Sequence, residues 1–298
     1  MKNICILFVS AMFIGTSVYA GTGRVFSNFE PVRLKADTDT VIRKQSLSLG
    51  VSLGSDAQFF GRTGTQKYPF LNADIIYNAK SGFFVYGSLY KVFTSIPVID
   101  ETDVGGGYLY RLSPKFTGNI SYTRFIFNRD ALIIKSASSN DINFNNSYDW
   151  KIMKTGVVLD YLFGESSDVF VTINNSKYFE TSWSIFDDKD YLSFNPGFQI
   201  IFGTQNFVQK YSMNHPGKFD YDYDSHDPYL QPPIFPQYAG YNSEFRMLNY
   251  SIKIPIAYNR PHYTFEFAYK YSVPFNVEGI LRNHRESFYN LTFYYLFY

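Results

Sequence analysis

Along much of this chain, apolar and polar residues change places at every step. In "RPHYTFEFAYKYSV", Tyr263, Phe265, Phe267, Tyr269, Tyr271 and Val273 share one parity, and His262, Thr264, Glu266, Ala268, Lys270 and Ser272 share the other. Successive side chains of a β-strand point to opposite faces, so the segment reads as a strand with one apolar side. "LNYSIKIPIAY" repeats the pattern, with Leu248, Tyr250, Ile252, Ile254, Ile256 and Tyr258 against Asn249, Ser251 and Lys253. "LSFNPGFQIIF" does so too, and "SLSLGVSL" sets Leu47, Leu49, Val51 and Leu53 against serines and a glycine. The pattern predicts about twelve strands, near 45–54, 69–78, 82–92, 104–112, 115–127, 152–163, 168–177, 191–203, 206–213, 247–258, 261–273 and 287–298. Most have the roughly 9–11 residues that a membrane-crossing strand needs.

The predicted connections alternate in length. Short ones carry turn residues: "NAKSG" after Tyr77, "SPK" after Leu112, "GESS" after Phe163, "GTQN" after Phe202 and "NRP" after Tyr258. Between them lie long ones, over 55–68, 93–103, 128–151, 178–190, 215–246 and 274–286. Short periplasmic turns and long extracellular loops are the rhythm of a membrane barrel. Tyr77, Tyr110, Phe116, Phe163, Phe202, Phe207, Tyr258 and Tyr263 all fall beside short turns on the apolar parity. Rings of this kind favour the headgroup level, so they are expected to form one girdle at the turn end. A soluble sandwich with an aromatic core predicts no such clustering.

The N-terminus changes the picture of where the chain resides. Lys2, the apolar run from Ile4 to Ile14, and the small residues Val18 and Ala20 form a secretory signal with cleavage expected after Ala20. The one cysteine, Cys5, lies inside it, which excludes disulfides and thiolate chemistry from the mature chain. Aromatics are 20% of the residues, with 27 Tyr and 31 Phe, more than a soluble core uses. The 27 basic residues face 26 acidic ones, which offers no electrostatic case for nucleic acid.

Export, alternation, loop rhythm and an aromatic last strand together resemble a Gram-negative outer-membrane β-barrel. The terminal "YNLTFYYLFY" is similar to the C-terminal signal that barrel-assembly machinery reads in that superfamily. The resemblance covers nearly the whole mature chain and implies an all-β fold: a single closed antiparallel transmembrane β-barrel in outer-membrane lipid. Residues 1–20 are then the signal peptide, 21–44 a polar periplasmic tail or lumen plug, and 45–298 the barrel. In the last strand Tyr289, Leu291, Phe293, Tyr295 and Phe297 are expected on the lipid face, with Tyr298 on the inner or interfacial side; the resemblance implies that the assembly machinery reads this set.

Several residues do not fit a clean alternation. Arg124 and Lys91 fall on the lipid parity, near long-loop ends where long side chains reach the interface. Pro196 and Pro255 each remove a ladder donor, so a bulge or bend is expected at each.

By parity the lumen receives Asp74, Arg111, Lys154, Asp160, Lys210, Lys253, Glu266 and Lys270 among serines, asparagines and glycines. One reading is a hydrated pore with a slight basic bias, passing small polar solutes. Another is a closed barrel whose charges pair, serving as a scaffold that presents loops to a partner. In the 215–246 loop, Asp220, Asp222 and Asp224 alternate as in a calcium loop, without the glycine and distal glutamate such a loop needs. A lipid-acting enzyme ranks last: "DSHD" puts Ser225, His226 and Asp227 side by side, and chain neighbours point apart. No catalytic residue and no cofactor is expected.

Overall fold

The computed structural model describes residues 45–63, 67–93, 95–128, 138–206, 244–276 and 284–298. The leader, the 21–44 segment, Lys210 and the three loop aspartates lie outside them.

The alternating segments become strands of one antiparallel sheet. They are β1 (Ser46–Gly54), β2 (Phe70–Asn78), β3 (Phe83–Val92), β4 (Glu101–Arg111), β5 (Phe116–Phe127), β6 (Ser138–Asp149) and β7 (Lys154–Gly164). There follow β8 (Ser167–Ser176), β9 (Phe179–Glu180), β10 (Tyr191–Phe194), β11 (Gly197–Gly203), β12 (Arg246–Asn259), β13 (Tyr263–Pro274) and β14 (Glu286–Phe297). β14 pairs with β1, from Leu47–Phe297 to Gly54–Asn290, and β11 pairs with β12, so the sheet closes on itself. β8 with β9, and β10 with β11, are consecutive pieces of single wall strands, because Gly197–Ser176 and Ser193–Glu180 keep one register. The ring therefore has twelve wall positions. Closure satisfies the backbone donors and acceptors of both sheet edges, which hydrocarbon would leave unpaired.

The strand count agrees with expectation, but two of its members differ. β6 fills a stretch expected as loop, and the expected strand at 206–213 lies, apart from Asn206, outside the described residues. The ring closes without it, since β11 pairs directly with β12. This changes which end each connection occupies. The turns after β2, β4, β6 and β12 share one end, the turn end, with the start of β1 and the end of β14. The "GESS" turn between β7 and β8, and the start of the β11–β12 connection at "GTQN", lie at the opposite, loop end. The 181–190 connection, expected at the loop end, is at the turn end. Hence Phe163 and Phe202 belong to the loop-end ring of aromatics, whereas Tyr77, Tyr110, Phe116, Tyr258 and Tyr263 stand at the turn end.

The 181–190 connection is tied to the wall through Asp190. Its carboxylate accepts the N–H groups of Ile185 (2.7 Å) and Phe186 (2.9 Å) and the Tyr258 hydroxyl (2.9 Å). Burial would raise the pKa of this acid, but those donors outweigh it and hold the group below the usual carboxylate range.

Pro196 interrupts its own wall strand and the neighbouring one at the same height. Phe194 pairs with Ile256 and Gly197 with Lys253, so Asn195 and Pro196 stand opposite Pro255 and Ile254. The two prolines thus thin the same stretch of ladder. At Pro255 no bulge forms: its pairing with Ala268 continues the β12–β13 register unbroken. The register shifts that do occur are at Ile201/Phe202 and Ser138/Asn140.

Outward side chains are apolar and exposed, including Val51, Ile75, Val85, Leu159, Ile256, Phe267 and Phe293. Lys91 and Arg124 sit near the loop end, as expected. Lys91 donates to Ser95 O at 2.6 Å and faces Asp100 at 3.6 Å, and Arg124 donates to Asn140 Oδ1 at 2.8 Å.

Phe267 stands between Ile256 and Leu291 on the outer face. Phe267→Arg is expected to destabilise the lipid-embedded barrel by about 2–4 kcal/mol, read from denaturant unfolding in vesicles. Glu266→Gln, one step along on the inner face, should cost less than that, since its surroundings are polar and its carboxylate is only partly buried. Equal effects would mean the faces are assigned the wrong way round.

Candidate functional site in the lumen

Inside the ring, the polar parity builds a wall of hydrogen-bonded side chains. Ser52 Oγ and Thr292 Oγ1 meet at 3.0 Å across β1 and β14. Ser88 donates to Asp103 at 3.0 Å, and Asn143 donates to Asp160 at 2.8 Å. Asp74 lies flat against the wall at Gly50, where an added Cβ would come within 2.4 Å of its carboxylate. Only glycine leaves room for the carboxylate there.

The Ser55–Thr63 segment that follows β1 does not arch outward. It folds into the lumen and crosses it. Phe59 and Arg62 exchange backbone hydrogen bonds (2.7 and 3.1 Å), closing a two-residue turn at Phe60 and Gly61. Both central residues have positive φ, 46° and 78°, as this hairpin turn requires. Glycine adopts that conformation freely, but for a bulky phenylalanine it is strained. Contacts on the far wall hold it there. The Phe60 ring stacks on Phe170 of β8, with centroids 3.6 Å apart and planes at 7°. β2 and β8 are six positions apart in a ring of twelve, so this stack spans the barrel.

Polar bonds fix the rest of the loop. Gly61 O accepts Asn249 Nδ2 and Ser272 Oγ, each at 2.9 Å. Arg62 donates to Gln205, Thr63 donates to Glu286 at 3.2 Å, and Lys270 donates to Gln58 at 2.7 Å. Phe59, Phe60, Arg62 and Thr63 are all buried. The 21–44 segment, expected as a periplasmic tail or lumen plug, lies outside the described residues; 55–68 is expected as an ordinary long loop, and its first part turns inward instead. A usable signal was present in "QFFGRTG", since two adjacent phenylalanines in a connection must be covered by something.

The residues expected in the lumen fall as follows. Asp74, Asp160, Lys253 and Lys270 are buried on the inner parity near the centres of β2, β7, β12 and β13, and Glu266 is half-buried on β13. Lys154 starts β7, partly exposed near the turn end, and Arg111 is exposed on the turn-end rim, donating to Ser113 O at 3.2 Å and Pro114 O at 3.3 Å. His262, expected to face inward, is exposed in the β12–β13 turn, and His284 is exposed toward the loop end.

Five further inward acids lie outside the expected set: Glu101 and Asp103 on β4, Asp141 on β6 and Asp168 on β8, all buried, and the half-buried Glu286 on β14. They reverse the expected basic bias over most of the wall. The fully buried acids occupy the arc from β2 to β8, while Lys253 and Lys270 occupy β12 and β13 beside the half-buried Glu266 and Glu286. Exposure also divides the lumen by height. Toward the loop end, Asn72, Asp103, Asp141 and Thr123 are dry. Toward the turn end, Thr117, Asn119, Ser121, Asn145 and Ser147 remain partly open.

No known protein family matches the chain, and neither does any curated protein. Among solved structures it is similar to the KdgM porin, at 8% identity over 84% of this chain and 99% of that one, with a TM-score of 0.47. It is similar also to the NanC porin (12%, covering 83% and 98%, TM-score 0.44) and to LpxR from Salmonella typhimurium (7%, covering 83% and 99%, TM-score 0.44). At such distances these likenesses decide neither a solute nor a reaction. Strand order, apolar outer belt and polar interior are the chain's own, and they make it a closed twelve-stranded antiparallel β-barrel.

Proposed function

We propose that the protein is a passive outer-membrane channel for small polar solutes, narrowed at its loop end by the inserted Ser55–Thr63 segment. One observation carries this reading: the polar inner wall is partly exposed over its turn-end half, around Thr117, Asn119, Asn145 and Ser147, where a filled barrel would be dry. A hydrated vestibule lined by hydroxyl, amide and charged groups replaces part of a solute's water shell. The outward face of β14 serves barrel-assembly machinery and lipid.

The Phe60–Phe170 stack favours a second reading, a barrel sealed at one end that acts as a scaffold. Single-channel recording in planar bilayers separates the two. Discrete, voltage-stable conductance steps from the purified barrel are expected. A folded, heat-modifiable protein that inserts and passes no ions would overturn the channel and leave the scaffold.

A further inference from the structure

Lys253 of β12 and Lys270 of β13 are direct cross-strand partners, and both point into the lumen. Like charges placed opposite one another destabilise a sheet. Here both are also buried, at 7% and 3% exposure, where water screens them little. Glu266 answers one of them, with its carboxylate 3.4 Å from Lys253 Nζ. Lys270 Nζ instead donates to a neutral acceptor, Gln58 Oε1, at 2.7 Å, and lies 5.8 Å from the centroid of the Phe288 ring. With both amines protonated, two ammonium groups and the paired Glu266 carboxylate carry a single positive charge. The wall beside them is low, since Gly197 faces Lys253, and Pro255 and Ala268 occupy the next inward positions.

We infer that Lys253 and Lys270 form a binding subsite for a carboxylate carried by a permeating solute, which takes the place of Gln58 on Lys270. This rests on the channel reading and names the solute class it selects. Cβ atoms of cross-strand partners lie about 5 Å apart, so two ammonium groups bracket the two oxygens of one carboxylate. Each brings up to three N–H donors. The single net charge suits a monoanion better than a dianion. Gln58 belongs to the inserted loop, so binding also loosens one of the ties that hold that loop across the lumen.

Two measurements test this, and the first needs no conductance. The unfolding midpoint of the detergent-folded full chain is compared in sodium acetate, sodium chloride and sodium sulfate at equal ionic strength. Acetate should raise the midpoint above both other salts, and the excess should vanish in Lys253→Met and in Lys270→Gln. Without acetate both variants should be at least as stable as the parent, because a like-charge contact is gone. An acetate response that is absent, matched by sulfate, or unchanged in the variants overturns the subsite. In bilayers, the acetate-over-sodium permeability ratio from the reversal potential should fall about tenfold in the double variant. A ratio that stays the same in a conducting double variant also overturns it. If no protein conducts, the channel reading fails, and the midpoint comparison still decides the subsite.

Discussion

Removing Tyr289–Tyr298 should abolish membrane insertion outright. β14 is the strand that closes the ring, pairing with β1 on one side and β13 on the other. A chain ending at Phe288 leaves two long strand edges, one on β1 and one on β13, facing hydrocarbon. Each unsatisfied backbone group there costs several kcal/mol, a sum far above the roughly 5–15 kcal/mol stability of an ordinary domain. The same truncation takes away the outward set Tyr289, Leu291, Phe293, Tyr295 and Phe297. The check is gel mobility before and after boiling, together with membrane fractionation. A truncated chain that still inserts and resists heat would show that the terminal stretch is not the closing strand.

Replacing Gln58–Thr63 with two glycines should raise unitary conductance several-fold while leaving the barrel folded. The substitution removes the Phe60–Phe170 stack across the barrel and the ties from Gly61, Arg62, Thr63 and Gln58 to the β11–β14 side of the wall. The wall keeps its pairing, because the β1–β2 register from Ser46–Asn78 to Gly54–Phe70 does not involve the loop. Relief of the strained φ at Phe60 offsets part of the lost packing. Circular dichroism and heat-modifiability confirm folding, and bilayer recording reads the effect. An unchanged conductance in a folded variant would mean that the loop does not narrow the path.

The barrel was legible in the sequence wherever lipid imposes a strict apolar face. β12, β13 and β14 sit within a residue or two of their expected bounds, since the outward side of each is almost wholly aromatic or aliphatic. β6 was not legible, for a physical reason. In "SSNDINFNNSYD" only Ile142 and Phe144 mark the outer face near the middle, and outward Asn146 accepts the Tyr110 hydroxyl at 2.6 Å. A hydrogen bond satisfies the amide, but it erases the alternation. Missing β6 inverted the up-and-down sense of the next hairpin, which put "GESS" at the wrong end. Counting 206–213, which lies outside the described residues, as a wall strand restores the sense for the C-terminal strands and keeps the count at twelve, although the ring closes without it. The candidate site was less legible than the wall. Parity finds which residues face inward, but not that a loop crosses the lumen. The five acids outside the expected set lie at strand ends or in β6.

In this ring, each wall strand pairs with the strands before and after it in the chain, and β1 with β14 is the one pairing between strands distant in sequence. Contact order is therefore low everywhere but at a single junction. Taken as a bare loop of some 240 residues, that junction looks forbidding. Yet closure entropy grows only by about 0.6 kcal/mol for each doubling of length. The search shrinks further once the hairpins exist, because a twisting sheet coils and carries its own two edges toward each other. Closing this molecule is thus a matter of curvature accumulated strand by strand, rather than of two chain ends finding one another by diffusion.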